Sequence, residues 1–190
     1  MDIDIDFADR KKALEVINHR VASRYEDGVL KPHNTGIYLQ DQTVRTPDLL
    51  CEIPYDKDVD GRFKIDFLNA SLYNGIQNRD HLKRLAEQEP LWDLLEQDEF
   101  VNLLFHVNGH GSILRQTKPK SVEELAAVLA MIRPAKRYLV GKEWSTILKE
   151  VWQKPENDDY YFKKSHATAY ALAIVCQMNL ICEQISYGYS

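Results

Sequence analysis

Apolar and acidic residues alternate over the opening of the chain, Met1-Asp2-Ile3-Asp4-Ile5-Asp6-Phe7. Side chains of a strand point alternately to opposite faces. The pattern therefore predicts a strand with Ile3, Ile5 and Phe7 on one face and Asp2, Asp4 and Asp6 on the other. The alternation returns in Arg62-Phe63-Lys64-Ile65-Asp66-Phe67-Leu68, which predicts a second strand with Phe63, Ile65 and Phe67 opposite Arg62, Lys64 and Asp66. Between the two, the stripe Leu14, Ile17 and Val21 predicts a helix over 9–24, capped by Asp9, with Gly28 where a terminating residue belongs. Residues 31–36 read as a turn before a short strand 37–39. Residues 40–50 read as a loop around Pro47, and 51–55 as a further strand. Asp58-Val59-Asp60-Gly61 is a turn signal.

From Asn69 onward the pattern becomes helical. It predicts helices over about 69–78, 79–88 and 91–105, with Pro90 as a break and Asn108 to Gly111 as a loop. Ser121 with Glu124 forms a capping box ahead of the stripe Leu125, Val128, Leu129 and Ile132, and Arg133-Pro134 ends that helix. Trp144, Ile147, Leu148, Val151 and Trp152 make another amphipathic helix, with both tryptophans in the core. After a polar linker, 155–159, a long helix runs to about Glu183. The fold class expected is α+β, a small sheet region over 1–78 followed by a helical region over 79–190.

Composition narrows the picture in three ways. The 190 residues suffice to bury a core. A formal net charge of −5 argues against a nucleic-acid binder held by a broad basic face, though not against a local basic cleft. Three cysteines without metal-ligand spacing fit free thiols in a reducing compartment. No secretory leader pattern opens the chain, and the apolar run 167–182, interrupted by Thr168, Gln177 and Asn179, reads as a buried helix.

The candidate chemistry lies on the two alternating stretches. Like charges on one strand face repel, and a divalent cation is the simplest compensation, since Mg²⁺ takes carboxylate oxygens together with substrate phosphates. If the strands pair with their apolar sides in register, Asp66 joins Asp4 and Asp6. Two acids two residues apart plus a third on a neighbour suit two Mg²⁺ ions. Such a pair activates an attacking oxygen and stabilises a leaving pyrophosphate. Lys64, on the same face, is placed to contact a phosphate. The opening stretch equally fits an acidic, disordered N-terminus or an exposed edge strand, and Lys64 with Asp66 fits the wet face of a half-covered sheet. Farther on, Lys163-Lys164-Ser165-His166 stands at a helix N-terminus, where free N–H groups and the dipole favour a phosphate. That segment equally fits aromatic-rich packing with solvated lysines. Asp56-Lys57-Asp58-Val59-Asp60-Gly61 has the opening of a calcium loop, but its twelfth position is Phe67, so it reads as a hairpin turn.

Taken together, these motifs resemble those of the C-family DNA polymerases, the bacterial replicative polymerase III alpha subunits. Asp2-Ile3-Asp4-Ile5-Asp6-Phe7 is similar to the family's PDxDxDF strand, with Met1 for the proline. His33-Asn34-Thr35-Gly36 resembles its HAGG turn with two changes. Lys64-Ile65-Asp66-Phe67-Leu68-Asn69 matches KxDFLG except for Asn69. Phe105-His106 resembles a phenylalanine-glutamine pair of the fingers, and residues 130–136 resemble the first half of ALxRPGP. Tyr161 to Ala171 follows YGFNKSHAAAYA, with Lys163 for the asparagine.

The resemblance implies a polymerase beta-like nucleotidyltransferase palm over 1–78 and fingers over 79–190, in a bacterial or phage-infected cytoplasm. It implies that Asp4, Asp6 and Asp66 hold two Mg²⁺ ions (Mn²⁺ as a substitute) and act in catalysis, while Asp2 matches a non-catalytic acid. Lys64, Arg133, Lys164, Ser165 and His166 would face the nucleotide triphosphate or the template backbone. Substrates would be dNTPs and a primer–template DNA. The family's Gly-Ser nucleotide-binding motif and its DNA-gripping domains have no counterpart in this sequence. The expectation is a split polymerase whose partner polypeptide supplies them. The alternatives are a minimal stand-alone enzyme and an inactive remnant with a structural or interaction role in replication.

Overall fold

The computed structural model describes residues 3–40, 43–45, 47–57, 61–155 and 161–188. The chain divides into two compact units, Met1–Gly75 and Ile76–Ser190, against the 78/79 boundary expected from the pattern.

The first unit is a six-stranded mixed sheet, with β1 (Ile3–Phe7), β2 (Arg20–Glu26), β3 (Val29–Tyr38), β4 (Val44–Arg45), β5 (Leu50–Cys51) and β6 (Ile65–Asn69) in the order β1-β6-β3-β2-β5-β4. The first alternating stretch and the second half of the other become parallel neighbours, with Ile3 opposite Ile65, Asp4 opposite Asp66 and Ile5 opposite Phe67, whereas Arg62, Phe63 and Lys64 precede the strand and Phe63 is exposed. Paired residues share a face, so the register gathers the apolar set on one side and the acids on the other. Helix α1 (Arg10–Val16) brings Leu14 and Ile17 against Phe7, Ile37, Ile65 and Phe67. Asp9 caps α1 by accepting the Lys12 N–H at 3.2 Å, and Asn69 at the end of β6 accepts the Arg10 N–H at 3.0 Å. The edge strand β1 stays open, with Ile3 and Ile5 37% and 39% exposed.

Several expectations for this unit are corrected. The helix expected over 9–24 stops at Val16, and residues 20–26 form β2 instead. The cause is Asp27-Gly28, with φ +52° and +75°, a two-residue hairpin loop that returns the chain as β3. Gly28 therefore turns a hairpin rather than ending a helix. Residues 31–36 lie inside β3 instead of forming a turn. The strand expected at 51–55 is only Leu50–Cys51, and the helix over 69–78 is a 3-10 segment, Ser71–Gly75. Asp2 and the turn residues Asp58, Val59 and Asp60 lie outside the described residues.

In the second unit, α2 (Arg79–Glu87) is followed by a 3-10 segment, Trp92–Glu96, and by α3 (Asp98–Val101), so the helix expected over 91–105 is broken in two. Helix α4 (Gly111–Thr117) follows, its first residue having been expected in a loop. Then come α5 (Val122–Met131), α6 (Trp144–Glu150) and α7 (Lys164–Gly188). Ser121 accepts the Glu124 N–H at 3.1 Å, and the Glu124 carboxylate reaches back past the cap to the Lys120 N–H at 2.7 Å. Helix α5 is buried from Leu125 to Met131 and packs against α7. Trp144 and Trp152 are half-buried at the margin of this core. Among the described residues α7 is the one helix long and apolar enough to cross a membrane by length and composition. In this unit its apolar positions pack on α5 and α2. Buried Asn179 on α7 donates to the Leu85 and Gln88 carbonyls at 2.9 and 2.8 Å, closing the C-terminal end of α2.

Candidate functional site

Strand β6 lies between β1 and β3, so Asp66 has a neighbour on each side: Asp4 on β1 and Gly36 on β3. Asp6 lies two residues along β1 on the same face. Asp4 and Asp6 are exposed, whereas the Asp66 side chain is only 14% accessible. The Tyr73 hydroxyl donates to Asp6 Oδ2 at 3.4 Å.

Three side chains surround the Asp66 carboxylate. The Lys64 ammonium, two residues upstream and on the same face, donates to Oδ2. The Thr35 hydroxyl donates to Oδ1 at 2.7 Å. His33 Nδ1 stands 3.7 Å from Oδ1. Burial by itself would raise the Asp66 pKa. The hydrogen bonds from Lys64 and Thr35, with the charge of Lys64, outweigh it and hold the carboxyl below its ordinary range. His33 is pushed down by burial and then by the Lys64 charge, so its ring stays neutral at neutral pH.

A bulge in β3 supplies this surround. Val21 pairs with Ile37, yet Ser23, two residues on, pairs with Pro32, so four residues, His33 to Gly36, stand opposite the single Ala22, three more than a regular ladder holds. A side chain at Gly36 would meet Lys64 Cδ at 2.7 Å and His33 Nδ1 at 2.9 Å, so glycine leaves the room both need. The Tyr55 ring lies under both, 5.0 Å from the His33 ring and 5.7 Å from Lys64 Nζ.

Among the described residues, no three His, Cys, Asp or Glu side chains converge as a metal-binding group. The donor set nevertheless suits a hard cation. It is made of carboxylates, and it stands on adjacent strands in register.

The remaining candidates belong to the second unit. Arg133 lays its guanidinium over the Phe162 ring at 5.3 Å, and His166 meets the same ring edge-on at 6.5 Å. These two are brought together. Lys164, the first residue of α7, instead pairs with Glu123 at 3.0 Å and lies over Trp152 at 5.8 Å. Ser165 is exposed in the first turn of α7. Beside Arg133 lies His110, lowered by burial and then by the charges of Arg137 and Arg133. His106, the second residue of the Phe105-His106 pair, takes φ +61° and meets the Tyr170 ring at a tilt, with centroids 4.2 Å apart.

Tyr55, Tyr73 and His110 carry no functional role in the sequence pattern, and His33 and Thr35 enter it only as letters of one motif. Their signal is contact across the fold. The Asp27-Gly28 pair is the one local signal that leads to β2 and β3, and so to the bulge. Compared with protein-family models, with curated proteins and with solved structures, the chain matches none.

Proposed function

We propose that the chain is a nucleotidyltransferase of the DNA polymerase type, its first unit a catalytic palm of the polymerase beta-like kind and its second unit the fingers. The observation that carries this reading is the parallel register that sets Asp66 beside Asp4, with Asp6 two residues along the same face. Three carboxylates on two adjacent strands in register are what phosphoryl transfer asks of a protein, because that chemistry depends on positioning and charge neutralisation. Asp4, Asp6 and Asp66 would hold two Mg²⁺ ions. Bound there, the ions would supply Lewis-acid neutralisation of the phosphates and of the developing charge. Thr35 keeps Asp66 oriented. Lys64 supplies positive charge at the carboxylate and is placed to pass it to a phosphate. Arg133 and His166, with Ser165 and Lys164, would take the nucleotide phosphates or the template backbone, with Phe162 as an apolar floor. The substrates proposed are dNTPs and a primer–template, with a partner polypeptide supplying further nucleotide and DNA contacts.

One observation favours a second reading, an inactive remnant with a structural or interaction role. Both Asp66 oxygens are already engaged, by Lys64 and Thr35. Two experiments separate the readings. The proposed palm binds Mn²⁺, seen as loss of the free-ion signal in electron paramagnetic resonance, and Asp66→Ala abolishes that binding. Primer extension with four dNTPs and Mg²⁺, alone or with the partner added, is likewise lost in Asp66→Ala. Mn²⁺ binding that is absent, or indifferent to Asp66→Ala, sinks the palm reading.

A further inference from the structure

The bulge between Pro32 and Ile37 is held by one side chain. His33 Nδ1 accepts the Gly36 N–H at 2.8 Å and the Thr35 N–H at 3.3 Å. A nitrogen that accepts two N–H groups carries no proton, so the ring is the neutral tautomer protonated on Nε2. It follows that the 3.7 Å approach of Nδ1 to Asp66 is neither an ion pair nor a hydrogen bond. The ring works on the backbone instead, as an asparagine or aspartate side chain does in an Asx turn. Fastening those two amides sets the direction of Thr35. Its hydroxyl stands 3.4 Å from Nδ1 and 2.7 Å from Asp66 Oδ1, and its one proton goes to the nearer carboxylate oxygen. Tyr55 packs edge-on against the ring and fixes its plane.

We infer that His33 is a positioning residue for the third carboxylate of the proposed palm: it closes the bulge so that the Thr35 hydroxyl orients Asp66 toward Asp4 and Asp6. This rests on the nucleotidyltransferase reading for its purpose, but its geometry stands without it. The arrangement is the kind of outer-layer hydrogen bonding that fixes a ligating carboxylate and is felt in metal affinity.

The test uses the full chain in four forms: wild type, His33→Ala, His33→Asn and Thr35→Val. An asparagine Oδ1 stands close to where Nδ1 stands and accepts the same amides, so His33→Asn is the rescuing variant. Two quantities are read, the ¹³C shift of the Asp66 carboxyl at neutral pH and the affinity for Mn²⁺. The expected result is that His33→Ala and Thr35→Val move the carboxyl signal in the same direction and weaken Mn²⁺ by about tenfold to a hundredfold. His33→Asn returns both toward wild type. A carboxyl signal unmoved in His33→Ala, or left unrestored in His33→Asn, overturns the inference. Thr35→Val keeps the shape of the bulge, so an unmoved signal there overturns it however His33→Ala folds. A wild-type chain that binds no Mn²⁺ defeats the palm reading, and the carboxyl signal alone then decides the role of His33.

Discussion

Apolar burial in the helical unit is dominated by one large cluster, running from Leu95 through Leu125–Met131 of α5 to Met178, beside a small one of Leu85, Cys176 and Leu180. In the sheet unit it is split into two small clusters, Ala22–Tyr38–Cys51 and Ile37–Ile65–Phe67, with β1 open at the edge. The difference teaches how the two units obtain order. Aliphatic packing dominates in α5 and α7, because a helix satisfies its own backbone. The sheet unit buries less, and it orders its functional face with polar contacts: Asn69 on α1, His33 on the bulge, Thr35 and Lys64 on Asp66. Few buried apolar contacts mean low local stability, so the amides of β1 and β6 should exchange faster than those of α5.

The sharpest test of this contrast is truncation of a core residue. Leu125→Ala should cost roughly 3 kcal/mol, because α5 is enclosed and collapses poorly around a cavity, whereas Ile65→Ala beside the open edge should cost nearer 2 kcal/mol. Urea denaturation followed by a probe in each unit measures both, and equal costs would break the contrast. Next comes Asn179→Ala, which strips two carbonyls at the end of α2 of their donor in a buried place. It should cost about 1–3 kcal/mol, read in the same way.

Acid gives a third comparison, because each unit carries both kinds of acid-sensitive group. His33 and His110 are held neutral, below their ordinary 6.5, by burial and then by neighbouring cations. Their contribution is complete above that value and declines as the pH falls below it. Asp66 is lowered by its partners against the opposing pull of burial, and Glu183 is lowered first by the Arg84 hydrogen bond. Their stabilisation is present above the ordinary values of 3.8 and 4.5 and is lost as the pH drops through the lowered ones. Since acid acts on both units alike, the smaller cores should decide the order. Amide protection at Ile37 and Ile65 should vanish at a higher pH than protection at Leu129 and Met178, and the reverse order would overturn this account. The smallest effect is expected from Ser121→Ala, about 1 kcal/mol for a lost helix cap, visible as a shift in the melting of α5 that leaves the sheet unit unmoved.

Much of the helical unit was legible in the sequence, because caps and periodic stripes are local: Ser121 with Glu124, the α5 stripe, and the break at Pro90 all stand as expected. The error in the sheet unit has an equally physical cause. Leu14, Ile17 and Val21 have helical spacing, but Val21 serves a strand, and a hairpin turn at Asp27-Gly28 outweighs the stripe. At the candidate site, the alternation put Asp4, Asp6 and Asp66 on acid-bearing faces. It could not show that Lys64 would close on Asp66, or that Lys164 would turn to Glu123.

By itself the sequence determined the elements whose information is local: two alternating strands with acids on one face, capped helices, and a basic segment at the start of the last helix. Only the tertiary structure decided which strand lies beside which. The parallel pairing of β1 with β6 joins residues about sixty positions apart, and its register depends on Phe7, Ile37, Ile65, Phe67 and the α1 residues packing as one face. The bulge that carries His33 and Thr35 to Asp66 arises in the same way, from β3 meeting β2 on one side and β6 on the other. Side-chain alternation is a property of one strand, whereas a cluster of carboxylates with its supporting donors is a property of three.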